Sequence, residues 1–431
     1  MELSLRGAKM GGLSGIRSIM EDIALASADP SDGRGGRDGR GGRQWLNLSP
    51  GNPAAIPEVT ETWRRLQQEA MDHGFAESSG RYGPSRGTDG LVDAIVRYFN
   101  SRYGWAIGPE NVLVGAGCQM LAFMATTVFT GPYGDGHRRL VLPSVPDYTG
   151  YQGLSLDQGG IVGVDPGIEL EEGRYFRYAF DLEAVRRQDS MGMMLLSSPG
   201  NPTGRSIGAR DLAGLIAIAE ERDVPLVLDH AYGEPFPGVA QTSVDPPLHP
   251  RVINLFTLSK AGLPGERLGF AVGPPDAIDA MLSFTANSHL HAPQLIQATA
   301  ALALNGGHLD TLTSEVIRPY YRRRRQVAEK LLHEILPESV DWRLHSTEGG
   351  MFAWLWIDHD WFDDLAVYEA LKRRRVFIVP GRHFFVRPFD SPFLARHATR
   401  CIRLSLSPDE SVIAEGIGRL AEALEEIRDA H

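Results

Sequence analysis

A single lysine stands just after an apolar run, in a setting that would alter its chemistry. Residues 252–256 are typical of a buried strand, and Lys260 follows them within a few positions. An ammonium group beside buried strands is costly to desolvate, so its pKa is expected to fall, and the neutral amine can attack a carbonyl to form a Schiff base. The hydroxyls of Thr257 and Ser259 and the guanidinium of Arg267 are suited to a phosphate. Together they indicate a cofactor with an aldehyde and a phosphate, namely pyridoxal 5′-phosphate, against the alternative of an ordinary surface lysine.

Polar groups also follow the other apolar runs of the chain. In an open parallel sheet the ligand lies beyond the carboxyl ends of the strands, so these groups are candidates for one site. In chain order they are the backbone amides of Gly117, Cys118 and Gln119, the ring of Tyr148 or Tyr151, the amide of Asn201, the carboxylate of Asp229 with Tyr232 nearby, and Lys260. Free amides suit a phosphate, an aromatic ring can stack on the cofactor, and a carboxylate can keep the pyridine nitrogen protonated. Each feature alone could be a helix cap or a turn, but all of them in this order predict a cofactor site.

Short apolar runs alternate with helical patterns between residues 60 and 320. Such runs predict buried strands of a mostly parallel sheet, and therefore an α/β fold. They cover residues 112–114, 140–142, 193–196, 226–228, 252–256 and 270–272. Further strand-like runs at 351–356, 377–379 and 401–406 predict a smaller α+β domain. A short amphipathic helix is predicted over residues 15–26, with isoleucines and a methionine on one face.

The chain is long enough for more than one domain. We expect a large cofactor-binding domain over residues 60–320, a small C-terminal domain over residues 321–431, and an N-terminal arm over residues 1–59 that joins the small domain. Residues 29–43 consist only of Gly, Arg, Asp, Ser and Pro, so they cannot bury enough apolar surface and are expected to form a flexible loop. Four adjacent arginines at 322–325 are interpreted as a solvated helix face.

Three motifs arrange the candidate residues in a pattern that resembles the class I/II aminotransferases of fold type I. They are Asn201-Pro-Thr-Gly, Asp229-x-Ala-Tyr232, and Thr257-x-Ser-Lys260 followed by Gly265-x-Arg267-x-Gly269. The resemblance extends over nearly the whole chain. It implies a large domain with a mostly parallel sheet, a smaller α+β domain, and pyridoxal 5′-phosphate as cofactor. Within the family, the stretches 51–58, 231–238 and 258–265 are most similar to the branch that acts on valine and pyruvate.

The resemblance also implies a role for each matching residue. Lys260 would bind the cofactor aldehyde and move the substrate proton, Asp229 would pair with the pyridine nitrogen, and Tyr148 would stack on the ring. Asn201 and Tyr232 would contact the phenolic oxygen, and Arg403, Gly51 and Asn201 would contact the substrate. Tyr82 would reach the phosphate of a homodimer partner. The phosphate within the chain's own site would be held by Thr257, Ser259, Arg267 and the amides of Gly117, Cys118 and Gln119. The chain departs from the family pattern at two positions that bear on these roles. Many relatives have serine or threonine at the phosphate where this chain has Gly-Cys-Gln, and the turn Ser-Ser-Pro-Gly before Asn201 differs from the valine branch.

Alternation along the last strand gives an independent reason to consider Arg403. Side chains on a strand point alternately to its two faces, so Ile402 and Leu404 share one face and leave Arg403 and Ser405 on the other. A planar guanidinium is suited to bind a carboxylate through two hydrogen bonds. A surface ion pair is the alternative interpretation.

The overall composition restricts the class of partner. A net charge of −11 over 431 residues argues against nucleic acid or an anionic membrane surface. Two cysteines are too few for a disulfide framework, and the first residues contain no apolar core of signal-peptide length, so we expect a cytoplasmic protein. The close pair His289 and His291 could line the pocket or meet a dimer partner, but it has no further ligand in view, so no metal site is predicted.

The absence of basic residues in one segment bears on the substrate. No Arg or Lys occurs from Ala271 to Ile317, where dicarboxylate-specific relatives carry a second arginine. We therefore expect a neutral aliphatic amino donor such as valine or alanine and a 2-oxo acid such as pyruvate, in a ping-pong transamination. The alternative is that the arginine-containing loop at 34–43 supplies a basic group to the substrate. The alternative reaction keeps the cofactor but performs γ-elimination, replacement or carbon–carbon bond formation on S-adenosylmethionine. A third class, a regulator that senses a ligand behind a basic DNA-binding domain, is disfavoured by the acidic composition.

Overall fold

The computed structural model describes residues 2–10, 15–28, 44–240, 244–386, 389 and 391–431, and the predicted loop at 29–43 lies outside these ranges. The helices are α1 (Leu5–Met10), α2 (Gly15–Ala28), α3 (Pro57–Gly80), α4 (Asp89–Tyr103), α5 (Cys118–Phe129), α6 (Leu182–Arg186), α7 (Ala209–Arg222), α8 (Pro275–Ser288), α9 (Gln294–Asn305), α10 (His308–Thr311), α11 (Arg318–Ile335), α12 (Asp364–Arg373), α13 (Pro392–Ala398) and α14 (Glu410–Asp429). The strands are β1 (Leu46–Asn47), β2 (Val112–Gly115), β3 (Gly131–Tyr133), β4 (Gly136–Leu142), β5 (Ile161–Gly163), β6 (Gly167–Glu171), β7 (Tyr175–Ala179), β8 (Met191–Ser197), β9 (Leu226–Asp229), β10 (Val252–Thr257), β11 (Gly269–Val272), β12 (Trp342–His345), β13 (Phe352–Ile357), β14 (Val376–Phe377), β15 (Val379–Pro380) and β16 (Cys401–Ser405). Short 3₁₀ turns cover Pro109–Asn111, Thr149–Gly153 and Gly381–Phe384, and a π-helical turn covers Leu312–Ile317.

The larger sheet has the strand order β2-β11-β10-β9-β8-β4-β3, with β5 also paired to β4. Strands β10, β9, β8, β4 and β5 are parallel to one another. Strand β11 runs antiparallel to both of its neighbours, β10 and β2. All six apolar runs predicted between residues 60 and 320 are strands of this sheet. The predicted α/β fold with a mostly parallel central sheet is therefore confirmed.

Strand β8 shows why this sheet needs continuous apolar runs. All of its residues are buried. Because successive side chains point to opposite faces, Met194 shares a buried cluster with Leu215 of α7, whereas Met193 shares another with Leu121 of α5. Helices thus cover both faces of the sheet, which is the usual environment of parallel strands.

The second sheet has the order β15-β16-β13-β12-β7-β6. Its C-terminal strands include the runs predicted at 351–356 and 401–406, together with β12, which was not predicted. The run predicted at 377–379 is divided between β15 of this sheet and β14, which pairs with β1 in a separate two-stranded sheet. The hairpin of β6 and β7, residues 167–179, lies inside the range predicted for the large domain, but β7 pairs in parallel with β12. This hairpin precedes residue 320 in the sequence but belongs to the sheet whose other strands follow it. The domain boundary at residue 320 stays a prediction.

Helix α11 corrects the interpretation of the arginine run. The side chains of Arg324 and Arg325 are 8% and 7% exposed, so the prediction of a solvated face is wrong for these two residues. Arg325 donates hydrogen bonds to the carbonyl oxygens of Phe352 at 3.3 Å and His345 at 3.0 Å, and it forms an ion pair with Glu329. A buried guanidinium is stable when such partners satisfy it, and here it attaches α11 to strands β12 and β13.

The close contact of β8 with the end of α5 yields a stability prediction. A methyl group added at Gly192 would collide with the carbonyl oxygen of Phe129 and lie 3.0 Å from Cβ of Arg138. We expect Gly192→Ala to lower the free energy of unfolding by about 1–3 kcal/mol, because neither backbone can move away freely. Gly90→Ala is the matched control, since an added methyl group there has nothing within 4 Å and Gly90 lies in α4. That variant should be at least as stable as the wild type. Urea unfolding midpoints measure both, and equal midpoints for the two variants would contradict the packing argument.

Candidate active site

A cavity of about 460 Å³ lies at the carboxyl edge of the central sheet, where residues of the two sheets meet. Most of the residues predicted for the site line it. They are Gly51, Cys118, Gln119, Tyr148, Asn201, Asp229, Tyr232, Thr257, Ser259, Lys260, Arg267 and Arg403. The topology explains the convergence, because the parallel strands all end at this edge and the segments that follow them face the same space.

Lys260 lies just beyond the end of β10, with its amine inside the cavity. The Nζ atom donates a hydrogen bond to the carbonyl oxygen of Gly51 at 2.7 Å and lies 5.7 Å from the centre of the Tyr232 ring. The pKa of the Lys260 amine is lowered to about 8, first by burial and then by the positive charges of Arg403 and Arg267, while the charge of Asp229 opposes the fall. The amine is therefore available in its neutral, nucleophilic form close to neutral pH.

Asp229 is the last residue of β9 and is 5% exposed. Its Oδ2 atom accepts a hydrogen bond from the Tyr151 hydroxyl at 2.8 Å, and Oδ1 accepts one from the backbone N–H of Ala231 at 2.9 Å. Burial raises the pKa of the carboxyl, whereas the hydrogen bonds from Tyr151 and the Cys118 thiol oppose that rise. A desolvated carboxylate in this position can bind a protonated ring nitrogen.

The two tyrosines that were alternatives for stacking have different environments. Tyr151 is fully buried and is committed to Asp229, whereas Tyr148 is only partly buried at the cavity wall. Their rings meet edge to face with 5.3 Å between centroids. Tyr148 is therefore the one whose ring is available to stack on a flat ligand.

An anion cradle is formed by Gly117, Thr257, Ser259, Arg267 and the start of α5. The Thr257 hydroxyl shares a hydrogen bond with that of Ser259 at 3.0 Å, and Arg267 Nη1 lies 3.4 Å from Ser259 Oγ. Gly117 precedes the first residue of α5 and offers no side-chain cap to the free amides of that turn. It has a φ of +83°, and an added Cβ would lie 3.0 Å from Arg267 Nη2. Hydroxyls, a guanidinium and free helix-terminal amides together bind phosphate well.

Arg403 is 2% exposed and lies between two aromatic rings, with Cζ 4.1 Å from the centroid of Phe352 and 5.1 Å from that of Phe384. Its Nη1 donates to Asn201 Oδ1 at 2.9 Å and its Nη2 to the carbonyl oxygen of Ser49 at 2.5 Å. Its Nε has no hydrogen-bond partner among the described residues. Burial lowers the pKa of this guanidinium to about 10. These contacts contradict the alternative of a surface ion pair and leave a buried cation that can receive a carboxylate.

Two of the predicted residues do not line the cavity. Gly117 nevertheless belongs to the anion cradle, where it lies against the guanidinium of Arg267. Tyr82 is 86% exposed, and its ring contacts that of His291 edge to face at 6.1 Å, so within one chain it does not reach the site. Neither His289 nor His291 lines the cavity. Across the described ranges, no group of His, Cys, Asp and Glu side chains could hold a metal ion, and no helix is long and apolar enough to span a bilayer.

Several lining residues were not assigned to the site from the sequence. The cavity wall includes Ile19, Met20 and Ile23 of α2, together with Asn47, Ser49, Ser197 and Val379. The amphipathic pattern of α2 predicted a helix but not the surface against which it packs. Ser197 ends β8, so the rule that site residues follow strand ends could have found it.

Comparisons with known proteins test the resemblance. The family model described as "Aminotransferase class I and II" matches residues 43–420. The chain belongs to this family. It is 31% identical to the valine–pyruvate aminotransferase of Escherichia coli (strain K12), over 99% of this chain and 98% of that protein. It superposes with a TM-score of 0.91 on a putative amino-acid aminotransferase from Psychrobacter arcticum 273-4, which is 29% identical and matches over 100% of both chains. For the valine–pyruvate aminotransferase AvtA from Salmonella typhimurium LT2 the TM-score is 0.85 at 29% identity, over 96% of this chain and 100% of that one.

Membership of the family makes the chain a pyridoxal 5′-phosphate-dependent aminotransferase of fold type I. The side chains in the cavity fit that cofactor. The amine of Lys260 suits an aldehyde, the carboxylate of Asp229 suits a protonated pyridine nitrogen, and the cradle suits a phosphate. The Gln119 Oε1 atom at the start of α5 is buried without a hydrogen-bond partner in the described part of the chain, as expected for a wall that a polar ligand completes.

The lowered pKa of Lys260 gives a testable pH dependence. Only the neutral amine reacts with an aldehyde, so the rate constant for uptake of pyridoxal 5′-phosphate by the apo-protein should rise with pH and reach its midpoint near 8. At pH 7 such an amine is neutral in roughly a tenth of the molecules, against fewer than about one in a thousand for an ordinary lysine. Stopped-flow absorbance after mixing measures the rate. Arg403→Met removes one of the charges that lower this pKa and should move the midpoint upwards, whereas Arg400→Met, whose side chain pairs with Asp358 and Asp360, should not. A wild-type midpoint at or above 10 would contradict the electrostatic argument.

Proposed function

We propose that the enzyme transfers an amino group between a neutral aliphatic amino acid, of the valine or alanine type, and a 2-oxo acid such as pyruvate. The observation that carries this proposal is one buried arginine, without an acidic partner among the described residues, in the same cavity as an apolar wall. Arg403 provides a site for the α-carboxylate that all these substrates share. The wall formed by Ile19, Met20, Ile23 and Val379 provides a surface for an aliphatic side chain.

The basic residues of the cavity support a neutral side chain. Among the described residues, the basic side chains that line the cavity are Lys260, Arg267 and Arg403. Lys260 and Arg267 occupy the positions for the cofactor aldehyde and phosphate, which leaves Arg403 for one carboxylate only. A dicarboxylate substrate would need a further cation to balance its second charge. The similarity to proteins named valine–pyruvate aminotransferase points in the same direction.

Four residues of the chain have distinct roles in the proposed mechanism. Bound pyridoxal 5′-phosphate supplies an aldehyde and an electron-accepting ring. Arg403 would orient the substrate by donating hydrogen bonds to its α-carboxylate from the N–H groups that otherwise donate to Asn201 and Ser49. The neutral amine of Lys260 would then take the proton from the substrate α-carbon and deliver it to the carbon of the cofactor's former aldehyde group. Asp229, fixed by Tyr151, keeps the proton on the ring nitrogen.

The remaining implied contacts belong to the same proposal. Asn201 Nδ2 donates to the Tyr232 hydroxyl at 3.3 Å, so the two side chains form one unit that can bind the phenolic oxygen. Thr257, Ser259, Arg267 and the amides that follow Gly117 would hold the phosphate. The carbonyl oxygen of Gly51, which accepts a hydrogen bond from Lys260 Nζ, would lie next to the substrate.

We also propose a homodimer and a cytoplasmic location. Exposed apolar side chains support the first: Tyr82 is 86% exposed, Phe75 55%, Leu290 52% and Met71 44%. A second copy that covers these residues would bury apolar surface and bring Tyr82 towards the phosphate site of its partner. Two buried cysteines without a disulfide, Cys118 and Cys401, suit a reducing compartment.

A spectroscopic screen tests the amino donor. On anaerobic addition of valine or alanine to the holoenzyme, the absorption band of the bound aldehyde should be replaced by that of the amine form, and pyruvate should restore it. Aspartate and glutamate should convert the enzyme much less, because among the described residues the cavity has no cation beyond Lys260, Arg267 and Arg403 for a second carboxylate. In a parallel experiment, S-adenosylmethionine is added to the holoenzyme to test the alternative elimination or replacement chemistry. Release of methylthioadenosine without amine-form accumulation would overturn the proposal, as would the failure of every common amino acid to change the spectrum.

A substitution at Arg403 tests the carboxylate site. Arg403→Lys keeps a positive charge but loses the planar pair of donors, so kcat/KM should fall about 10- to 100-fold for both the amino acid and the oxo acid. Arg400→Lys is the control, because Arg400 is also buried but has its own acidic partners, Asp358 and Asp360. Steady-state kinetics with both substrates measure the effect. Equal losses in the two variants would mean that Arg403 has only a structural role.

A further inference from the structure

A buried carboxylate lies directly behind the active site without lining it. Asp147 is 3% exposed and belongs to the segment between β4 and the 3₁₀ turn at Thr149–Gly153. It borders a separate small cavity of about 30 Å³, which Ser197 also lines from the side of β8. Burying a carboxylate is costly, so its contacts indicate what it does there.

Asp147 accepts three hydrogen bonds from the walls of the active site. The backbone N–H of Tyr148 donates to Oδ1 at 2.7 Å, the backbone N–H of Ser197 donates to Oδ2 at 3.2 Å, and the Ser197 hydroxyl donates to Oδ1. The N–H of Asp147 itself donates to the carbonyl oxygen of Phe384 at 3.1 Å. One side chain thus connects the segment that carries Tyr148 to the end of β8, and its backbone connects both to the second sheet's 3₁₀ turn.

Ser197 extends this connection to the residues that face the substrate. Because its hydroxyl proton is directed to Asp147, its oxygen is free to accept the backbone N–H of Asn201, which lies at 3.3 Å. The Asn201 side chain in turn accepts from Arg403 and donates to Tyr232. The orientation of a hydroxyl that both donates and accepts depends on the acceptor it is given. Removing the carboxylate would therefore release Ser197 and, through it, the Asn201 turn.

The electrostatic surroundings agree with a role in the site. The pKa of the Asp147 carboxyl is raised to about 7, chiefly by burial and to a smaller extent by the charge of Asp229, which pairs with Ser197 in the sheet. Its three hydrogen bonds oppose this rise but do not cancel it. The carboxylate thus bears a desolvation cost at a place where its three hydrogen-bond donors all belong to the walls of the active site.

We propose that Asp147 is a positioning residue: through Tyr148 and Ser197 it fixes the stacking ring and the Asn201–Arg403 pair, although it contacts neither cofactor nor substrate. The inference rests on the roles proposed above for Tyr148, Asn201 and Arg403. It assigns to Asp147 the relative placement of the two surfaces between which the reacting atoms lie.

Two variants and a matched control test this inference. Asp147→Asn replaces an acceptor oxygen by a donor opposite N–H groups, and Ser197→Ala removes the hydroxyl that relays to Asn201. Ser198→Ala is the control, because Ser198 is the next residue and is 8% exposed, but its hydroxyl accepts from the N–H of Ile207 at 3.0 Å and does not line the cavity. If Asp147→Asn does not fold, Ser197→Ala carries the test alone.

The first readout needs no substrate. The pH at which the absorption of the bound cofactor changes reports the groups around its ring, and we expect Asp147→Asn and Ser197→Ala to shift that midpoint by about half a pH unit or more. Ser198→Ala should leave it unchanged, even if its melting temperature falls as much as that of Ser197→Ala. The second readout is kcat/KM for the amino acid identified by the screen, which should fall at least about tenfold in both test variants and by less than about twofold in the control.

The outcomes separate this inference from the proposed function. If the wild type transaminates no amino acid, the proposed function fails, but the pH titration of the cofactor still decides whether Asp147 positions the site. If both test variants keep the wild-type midpoint and kcat/KM while losing thermal stability, Asp147 is a structural residue and the inference is wrong.

Discussion

The amine of Lys260 is held out of bulk water among two guanidinium groups and one carboxylate, and the chemistry of the site depends on that arrangement. Burial and the charges of Arg403 and Arg267 lower the pKa of the amine, while Asp229 keeps the fall moderate. The same burial leaves Arg403 without an acidic partner among the described residues, so its charge is available to a substrate carboxylate. A carboxylate bound there would offset one of the charges that lower the Lys260 pKa. With the roles proposed for Arg403 and Lys260, substrate binding and proton transfer would therefore be coupled electrostatically, without any conformational change.

The fold provides this arrangement through the direction of its strands. Parallel strands β8, β9 and β10 end at one edge, where Ser197 pairs with Asp229 and Asp229 with Leu255. Strand β11 runs the other way, and its first residue, Gly269, pairs with the last residue of β10. The antiparallel return explains how Arg267, only seven positions after Lys260, reaches the same cavity. It also explains the glycine at 269, since a Cβ there would lie 2.9 Å from the Cα of Gly117.

Most of the central sheet and its site could be predicted from the sequence, because both depend on local signals. Strands such as β8 and β10 are continuous apolar runs, and the residues after them face one edge by topology alone. The β6–β7 hairpin was beyond this reasoning, since its pairing with β12 joins residues more than 160 positions apart and no local pattern encodes the partner. Arg325 was misread for a related reason. A run of four adjacent arginines suggests exposure to solvent, and only the approach of two carbonyl oxygens from β12 and β13 makes the burial of Arg325 favourable.

The contribution of the second sheet shows why the substrate site cannot be assigned to one domain. Strand β16 lies between β13 and β15, and this pairing places Arg403 beside Trp354 and Val379. From there its guanidinium reaches Asn201, on the turn after β8, and Ser49, on the N-terminal segment. The cation that would bind the substrate is thus also a hydrogen-bonded link between three separate parts of the chain. A carboxylate that enters must share or replace those hydrogen bonds, so substrate affinity and the relative position of the two sheets depend on the same N–H groups. Asn201 is also linked through Ser197 to Asp147, so hydrogen bonds connect Arg403 of the second sheet to the end of β8 in the central sheet.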